Sequence, residues 1–303
     1  MGYSSSRDSW VISFSKENAK ENSYQLTQNH NQQVKSVQDL EKLERDLTKI
    51  NWSDDLLKRW EQRKLIDFDE SDLRIIQYRP FTKKWVNNLR PLIKRPSFWN
   101  NAFGENNNEN NLFLNIGSGE RNSVLISQDI SDYQLLFNTK SIPYKTFNNS
   151  IFEEEQINIR DIWKSEFKKE IHVLYYIYGV LHSLDYREKY ANDLRKTLPR
   201  IPLLKYKDEY VRVGKALIEL HLNYENQPKW PSVEVITNSS NTSYLVNKMR
   251  HPKKDELNTI IFNADITIKN IPVRAYNYIV NGKSGIGWIM DQYRIKTDKK
   301  QES

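Results

Sequence analysis

Residues 167–181 read FKKEIHVLYYIYGVL, and this stretch indicates which class of fold the chain adopts. Its bulky apolar side chains recur at steps of three and four residues, which is the spacing of one buried helix face. The stripe consists of Phe167, Ile171, Leu174, Tyr175, Tyr178 and Leu181. The pattern predicts a long helix that packs into the core near the middle of the 303-residue chain.

Further helices and short strands flank this central helix. Two helices are predicted directly after it, over about 186–197, ending before Pro199, and over about 209–224. Short apolar runs predict strands on both sides of the helical block, at 112–116, 124–127, 135–137, 233–237, 244–249, 259–262 and 265–268. Two short helices are predicted at 273–280 and 287–293. Strands, then helices, then strands again predict an α+β fold.

The chain before residue 73 has a different character. The stretch to Ser36 is rich in Asn, Gln and Ser and shows little periodicity, whereas apolar residues at steps of three and four predict a helix over 37–50. Ser53 is the predicted N-cap of a helix that runs to Lys64. From residue 73 the pattern becomes that of a strand, broken by Pro80. We therefore predict an N-terminal helical segment, 1–72, followed by a mixed or antiparallel β region with inserted helices, 73–303.

Composition excludes several classes of protein. The chain has no cysteine, so disulfides, iron–sulfur clusters and Cys-ligated zinc are excluded. It has no run approaching the roughly 20 apolar residues that a membrane span needs, and no apolar signal segment follows Met1. The 46 Lys and Arg residues outnumber the 39 Asp and Glu residues, giving a net charge of +7. These features predict a soluble, basic, cytoplasmic protein.

No motif in the sequence assembles a catalytic site. Gly117-Ser118-Gly119 after a predicted strand resembles the turn that binds S-adenosylmethionine in Rossmann-type methyltransferases, but Asn115 stands where such sites usually carry an acid. We favour a glycine hairpin here. Gly282-Lys283-Ser284 resembles the end of a P-loop, yet Asn277 occupies the place of the first glycine, so we predict a turn between two helices. The five histidines form no metal-binding pair, so no catalytic residue and no metal site is predicted.

Basic residues give the clearest indication of a partner. Between Arg79 and Pro96 there are six cations and no acid, interleaved with aromatic and Asn side chains. Lys and Arg neutralise phosphates, and Asn and Arg also read base edges, so this stretch predicts contact with nucleic acid. The candidates in it are Arg79, Lys83, Lys84, Asn87, Arg90, Lys94 and Arg95. A second basic stretch begins at Arg200 and ends at Lys215, and Arg121 and Asn122 lie at the predicted tip of a hairpin.

A longer set of motifs makes the sequence recognisable. Residues 175–196 read YYIYGVLHSLDYREKYANDLRK and continue as LPRIP at 198–202. Shorter motifs accompany them, namely RDSWV at 7–11, FSK at 14–16, YRPF at 78–81, ELHLNY at 219–224, KMR at 248–250, AYNYIVNGKS at 275–284 and WIM at 288–290. Together they resemble the C-terminal specificity region of type ISP restriction–modification enzymes. Leu184 departs from the family pattern, which usually has Pro there.

The resemblance implies that residues 73–303 form a target recognition domain that binds a short asymmetric site in double-stranded DNA, and that the helical segment 1–72 adjoins the methyltransferase. Enzymes of this family carry a nuclease, a helicase-like motor and an N6-adenine methyltransferase before that domain. S-adenosylmethionine, ATP and magnesium are therefore expected only in those domains, and the partners are duplex DNA and the methyltransferase–helicase portion. The basic residues of the long motif are further DNA-contact candidates, namely Arg187, Lys189, Arg195 and Lys196.

Two alternatives to that assignment stay open at this point. The chain could be a separately encoded interaction subunit, or a decayed remnant, that docks on a methyltransferase. It could also be a divergent S-adenosylmethionine-dependent methyltransferase that uses Gly117-Ser118-Gly119.

Overall fold

The structure, a computed structural model, describes residues 2–94, 102, 111–118, 123–148, 154–238 and 242–295. Its α-helices are α1 (Asp8–Val11), α2 (Lys16–Ser36), α3 (Asp54–Glu61), α4 (Asp161–Lys164), α5 (Glu170–His182), α6 (Leu184–Lys189), α7 (Ala191–Leu194), α8 (Lys207–Leu222) and α9 (Gly285–Gln292). Short 3-10 helices lie at Leu40–Lys42, Glu70–Asp72, Arg90–Leu92, Tyr224–Asn226 and Val273–Asn277. The helices alternate with several small sheets, which confirms the predicted α+β class.

Fourteen short strands are present in the described residues. They are β1 (Ile12–Ser13), β2 (Leu73–Arg79), β3 (Thr82–Asn87), β4 (Phe113–Ile116), β5 (Val124–Ser127), β6 (Ile130–Ser131), β7 (Lys140–Pro143), β8 (Lys145–Asn148), β9 (Glu154–Ile157), β10 (Glu234–Thr237), β11 (Ile260–Ile261), β12 (Ile266–Lys269), β13 (Ile279–Val280) and β14 (Lys283–Ser284). The larger sheets have the strand orders β1-β3-β2-β6, β5-β4-β7 and β10-β12-β11.

The N-terminal segment contains one long helix that the sequence pattern did not predict. Helix α2 begins after Ser15, whose hydroxyl accepts a hydrogen bond from the amide of Asn18 at 3.1 Å. Its buried face includes Ser23, Thr27 and His30 beside apolar residues, so the apolar periodicity is interrupted. Ser23 and Thr27 satisfy their hydroxyls on carbonyls of the same helix. The predicted helix over 37–50 is wrong, because only a 3-10 turn forms there, whereas Ser53 caps α3 as predicted.

One hydrophobic cluster joins this segment to the first sheet. Its buried members come from both sides of the predicted boundary at residues 72 and 73, and they include Tyr3, Val11, Leu26, Leu56, Ile76 and Val86. Strand β1 pairs with β3, and β2 and β3 form an antiparallel hairpin around Pro80 and Phe81. Phe81 adopts a φ of 56°, which is uncommon for a bulky residue. The interruption predicted at Pro80 is therefore a hairpin turn.

The middle of the chain follows the predicted pattern closely. Strands β4 and β5 pair antiparallel as a hairpin, and β7 pairs with the other edge of β4. The predicted core stripe forms α5, and α8 packs across it at a crossing of two glycines. A Cβ on Gly214 would lie 1.8 Å from the carbonyl oxygen of Tyr175, and a Cβ on Gly179 would lie 2.4 Å from that of Tyr210. Only glycine permits so close an approach of the two helix backbones.

Three predictions for the middle and C-terminal parts are wrong. Residues 135–137 form a bend rather than a strand, with Phe137 and Asn138 at positive φ. The helix predicted over 186–197 is divided into α6 and α7 at Tyr190. Residues 244–249 form no strand. The side-chain amide of Asn263 donates hydrogen bonds to the carbonyls of Ser243 and Leu245, which are therefore not paired with a neighbouring strand.

The C-terminal part combines the sheet of β10, β12 and β11 with a hairpin and α9. Asn281 and Gly282 both have positive φ and form the two-residue turn between β13 and β14. This corrects the prediction of a turn between two helices, because the residues before the turn form a 3-10 helix and a strand. Ser284 then caps α9, accepting from the amide of Gly287 at 3.1 Å. Within the described ranges, no helix has both the length and the apolar character to cross a bilayer.

Candidate nucleic-acid interface

Four of the motifs that make the sequence recognisable meet at one place in the fold. Six of their rings form what we call the aromatic junction, namely Phe81, Tyr178, His182, His221, Tyr224 and Tyr278. The ring of Phe81, at the tip of the β2–β3 hairpin, lies 5.4 Å from that of Tyr224 and 6.1 Å from that of Tyr278. The junction therefore joins the N-terminal hairpin, the helix pair and the C-terminal hairpin, which is a structural role.

Arg79 is held inside the fold by an acid. Its guanidinium donates to Oδ1 of Asp132 at 2.7 Å and lies 3.9 Å from the centroid of the Tyr78 ring. Burial raises the pKa of Asp132 to about 6, and the adjacent Arg79 acts against that rise. Asp132 is almost fully buried, so this ion pair is part of the interior and orients the hairpin.

The other hairpin candidates are also engaged within the protein. Nζ of Lys83 lies 3.1 Å from a carboxylate oxygen of Glu225, and Nζ of Lys84 lies 4.1 Å from the ring centroid of Tyr78. Asn87 is fully buried and donates to the hydroxyl of Ser23 at 2.9 Å. Because Asn87 has no exposed surface, its prediction as a DNA contact is wrong.

The remaining predicted residues fall into three groups. Arg90 and Lys94 follow the hairpin and are exposed. Arg95, Arg121 and Asn122 lie outside the described residues. Lys189, Arg195, Lys196 and Arg200 are exposed and Arg187 is half-buried, and all five lie on or after α6 and α7, apart in the chain from the β2–β3 hairpin. For these residues DNA contact stays a prediction.

The second basic stretch is largely paired with acids. Lys207 lies 3.1 Å from Glu166, and along α8 both Arg212 and Lys215 pair with a glutamate of the same helix. Such exposed pairs are typical of a solvated helix face. This stretch therefore offers fewer unpaired cations than its sequence indicates.

A polar groove that the sequence reasoning missed opens in the C-terminal part. It has a volume of about 450 Å³ and is lined by Ser243, Leu245, Asn247, Lys248, Arg250 and Asp265, among others. We call it the C-terminal groove. Lys253 and Lys254 follow Arg250 in the chain, and like Lys248 and Arg250 they are exposed. Among the residues that the structure describes, none of these four cations makes an ion pair.

Hydrogen bonds fix the shape of the C-terminal groove. The amide of Asn263 donates to the carbonyls of Ser243 and Leu245, and its oxygen accepts from the amides of Asp265 and Ile266 at 2.9 and 2.8 Å. Opposite this, Arg250 and Ile261 exchange two backbone hydrogen bonds, at 3.1 and 2.8 Å. The backbone that carries the groove side chains is therefore preorganised.

The chemistry of the C-terminal groove suits a nucleic acid. Its lysine and arginine can bind phosphates, the amide of Asn247 can both donate to and accept from a base edge, and the carboxylate of Asp265 can accept from an exocyclic amine. A sequence signal for the groove existed, since residues 247–254 contain four cations and no acid. That run is shorter than the one at 79–95, which contains six cations, and it is followed directly by Asp255 and Glu256.

The glycine turn at 117 serves the fold. Asn115, immediately before it, is fully buried, and its amide donates to Ser127 at 2.9 Å and accepts from Ser141 at 2.7 Å. Strand β4 lies between two antiparallel neighbours, whereas the methyltransferase turn follows a strand of a parallel sheet. The prediction of a glycine hairpin is confirmed for the strands on either side of the turn. Within the described residues, no cluster of three or more His, Cys, Asp or Glu side chains could hold a metal.

Comparisons with known proteins identify the relatives of this fold. A family model described as the type ISP C-terminal specificity domain matches residues 1–303. A nuclease-deletion mutant of the type ISP restriction–modification enzyme LlaGI, solved with a DNA substrate mimic, matches at 41% identity and a TM-score of 0.88 over 99% of this chain and 24% of that one. The ATP-dependent type ISP enzyme LlaBIII, solved bound to DNA, matches at 35% identity and a TM-score of 0.91 over 99% of this chain and 20% of that one.

A third structure, the DrdV–DNA complex, shares the fold at 21% identity and a TM-score of 0.88, covering 99% of this chain and 31% of that one. No curated protein matches the chain. The chain therefore spans about a fifth to a third of the length of the solved proteins that it matches.

Proposed function

Because this chain belongs to the type ISP C-terminal specificity domain family, we propose that it recognises a short asymmetric site in double-stranded DNA. The C-terminal groove is the observation that carries this proposal for the present chain. It is lined by two cations, Lys248 and Arg250, which make no ion pair with the residues that the structure describes, beside an amide and a carboxylate on a fixed backbone. Cations that bind phosphates would set the position of the duplex, and Asn247 and Asp265 would then read bases.

The partners follow from the same assignment. Two relatives were solved with DNA or a DNA mimic, and both are much longer than this chain. We propose that the domain presents its site to the methyltransferase and helicase portion of such an enzyme, and that it acts on DNA in the cytoplasm. Methyl transfer, ATP hydrolysis and strand cleavage would belong to other domains, together with S-adenosylmethionine, ATP and magnesium. Asn115 is buried and hydrogen-bonded within its sheet, so it is not available to bind S-adenosylmethionine. This supports the assignment of methyl transfer to another domain.

A salt titration tests the proposal. Fluorescence anisotropy with a labelled 30-base-pair duplex should give a log K that falls with log salt, with a slope of about −0.9 for each phosphate contacted. Replacing Lys248 and Arg250 by Ala should reduce the slope by about 0.9 for each contact removed. The matched control removes two cations that are paired on α8, Arg212→Ala with Lys215→Ala, and should leave the slope unchanged. A flat salt response of the wild-type protein would refute the proposal.

A further inference from the structure

Two apolar side chains stand exposed at the mouth of the C-terminal groove. Tyr244 is 77% exposed and Leu245 is 66% exposed, and they precede Lys248 by four and three residues. Leu245 also lines the groove. Most of the apolar surface of these two residues is left in water, where it gains nothing from burial. We call the pair the apolar tip. Its place beside a groove lined by cations, rather than its exposure alone, distinguishes it from other exposed apolar residues such as Ile162.

The backbone beneath the apolar tip is fixed. The hydroxyl of Ser243 accepts from the amide of Leu245 at 3.2 Å, and Asn263 holds the carbonyls on both sides of Tyr244. The next residue, Val246, is buried, and its carbonyl accepts from the amide of Ile295 at 2.8 Å. The two side chains thus lie on an irregular segment whose backbone is held by hydrogen bonds, so little backbone entropy would be lost when the tip enters a partner.

The charged residues around the apolar tip indicate which class of partner it contacts. The charged residues that line the groove are Lys248, Arg250 and Asp265, so its lining has two cations and one acid. Next along the chain come Lys253 and Lys254, followed by Asp255 and Glu256. A protein partner with an apolar pocket would not require this excess of cations. Duplex DNA offers a phosphate backbone for the cations and an apolar base stack between the two strands.

We propose that the apolar tip of Tyr244 and Leu245 inserts at a base step of duplex DNA while the neighbouring cations hold the flanking phosphates. The proposal rests on the proposed function and adds a mode of recognition to it. Apolar wedges partly unstack the step that they enter, and unstacking costs free energy that depends on the sequence. Through the tip, the domain would select sites by how readily they deform as well as by hydrogen bonds to bases.

The insertion of the apolar tip can be tested with two duplexes that differ only in a central mismatch, and the recognition site need not be known. A mismatched step is already partly unstacked, so the wild-type protein should bind a 30-base-pair duplex with two central T·T mismatches about tenfold more tightly than the fully paired one. In the variant Tyr244→Ser/Leu245→Ser this ratio should fall to about one. The variant Ile162→Ser, which removes an apolar residue that is 73% exposed elsewhere, should keep the ratio.

The outcomes separate the wedge from the proposed function. A wild-type protein that binds both duplexes equally, or a double variant that keeps the tenfold ratio, overturns the wedge but leaves DNA binding intact. A protein that binds neither duplex refutes the proposed function itself. Lys248→Ala/Arg250→Ala should weaken both complexes in parallel and preserve the ratio, since phosphate contacts do not depend on base stacking.

Discussion

The hydroxyl of Tyr178 lies 2.6 Å from Nδ1 of His221, and this contact joins α5 to the end of α8 inside the aromatic junction. Tyr178 is fully buried, and His182 adds a second contact because its Nδ1 lies 2.9 Å from the carbonyl of Tyr178. Both histidines and the tyrosine belong to the motifs by which the sequence resembles its family. Their burial and mutual contacts show that these motifs hold the parts of the domain together.

Removing that hydroxyl should lower the stability of the domain. In Tyr178→Phe the half-buried His221 loses a hydrogen-bond partner, and the loss of such a bond costs about 1 kcal/mol. Urea denaturation followed by circular dichroism measures the change. Tyr206→Phe is the control, because Tyr206 is 71% exposed and its change should be within about 0.5 kcal/mol. Equal stabilities of the two variants would show that the contact contributes nothing.

The same junction should make stability fall in acid. Burial is the first cause that lowers the pKa of both His182 and His221 to about 4, from a usual value near 6.5. Between these values the unfolded chain binds more protons than the folded one, so the free energy of unfolding should drop as pH falls from about 6.5 to 4. Urea midpoints measured across this range test the expectation.

Asp132 should have the opposite effect on the pH dependence of the free energy of unfolding, over the acidic part of the same pH range. Burial raises its pKa to about 6, so its protonation favours the folded state as pH falls from about 6 towards its usual value. The variant Asp132→Asn should therefore show a steeper loss of stability in acid than the wild-type protein does. A shallower loss in that variant would contradict the assignment of the two opposing groups.

Arg79 should behave as a scaffold residue. The variant Arg79→Met leaves the buried carboxylate of Asp132 without its ion pair, and breaking such a pair costs about 3 kcal/mol. Adding Asp132→Asn should restore part of that stability. The slope of log K against log salt for DNA binding should be unchanged in the folded double variant. A slope reduced by about 0.9 would instead show that Arg79 contacts a phosphate.

At the close contact of α5 and α8, replacing Gly214 by Ala should destabilise the domain, although helix propensity alone predicts that this change stabilises it. Alanine favours a helix over glycine by about 1 kcal/mol at an open position, but in Gly214→Ala the new Cβ would meet the Tyr175 carbonyl. The clash should destabilise the domain by about 1–3 kcal/mol in urea denaturation. Ala216→Gly, at an exposed position of the same helix, isolates the propensity effect. A stabilised Gly214→Ala variant would show that the two helices can move apart freely.

Base reading in the C-terminal groove predicts two different phenotypes. Asn247→Ala should relax the base preference at one position in a selection from a random duplex library, with a loss of about 1–3 kcal/mol of discrimination. Lys253→Ala should weaken all sequences to the same extent. Identical selected motifs for the wild-type protein and Asn247→Ala would exclude a base-reading role for this residue.

The predictions from sequence succeeded where periodic apolar residues are the ones that become buried. Most of the stripe from Phe167 to Leu181 lies in α5, and the runs predicted as strands at 112–116 and 124–127 contain β4 and β5. They failed at α2, because Ser23, Thr27 and His30 are buried there and find their hydrogen bonds inside the fold. A polar residue that is buried and satisfied is indistinguishable in sequence from an exposed one.

The amino-acid sequence by itself determined the α+β class, the central helix pair and the family, because apolar spacing and extended motifs are properties of the chain. Only the tertiary structure decided which cations are available to a ligand. Arg79, Lys83 and Lys248 are all cations in basic runs, yet the first two meet acids brought from distant parts of the chain, and Lys248 does not within the described residues. Pairing of charges depends on distances across the fold, and those distances are set by packing rather than by position in the sequence.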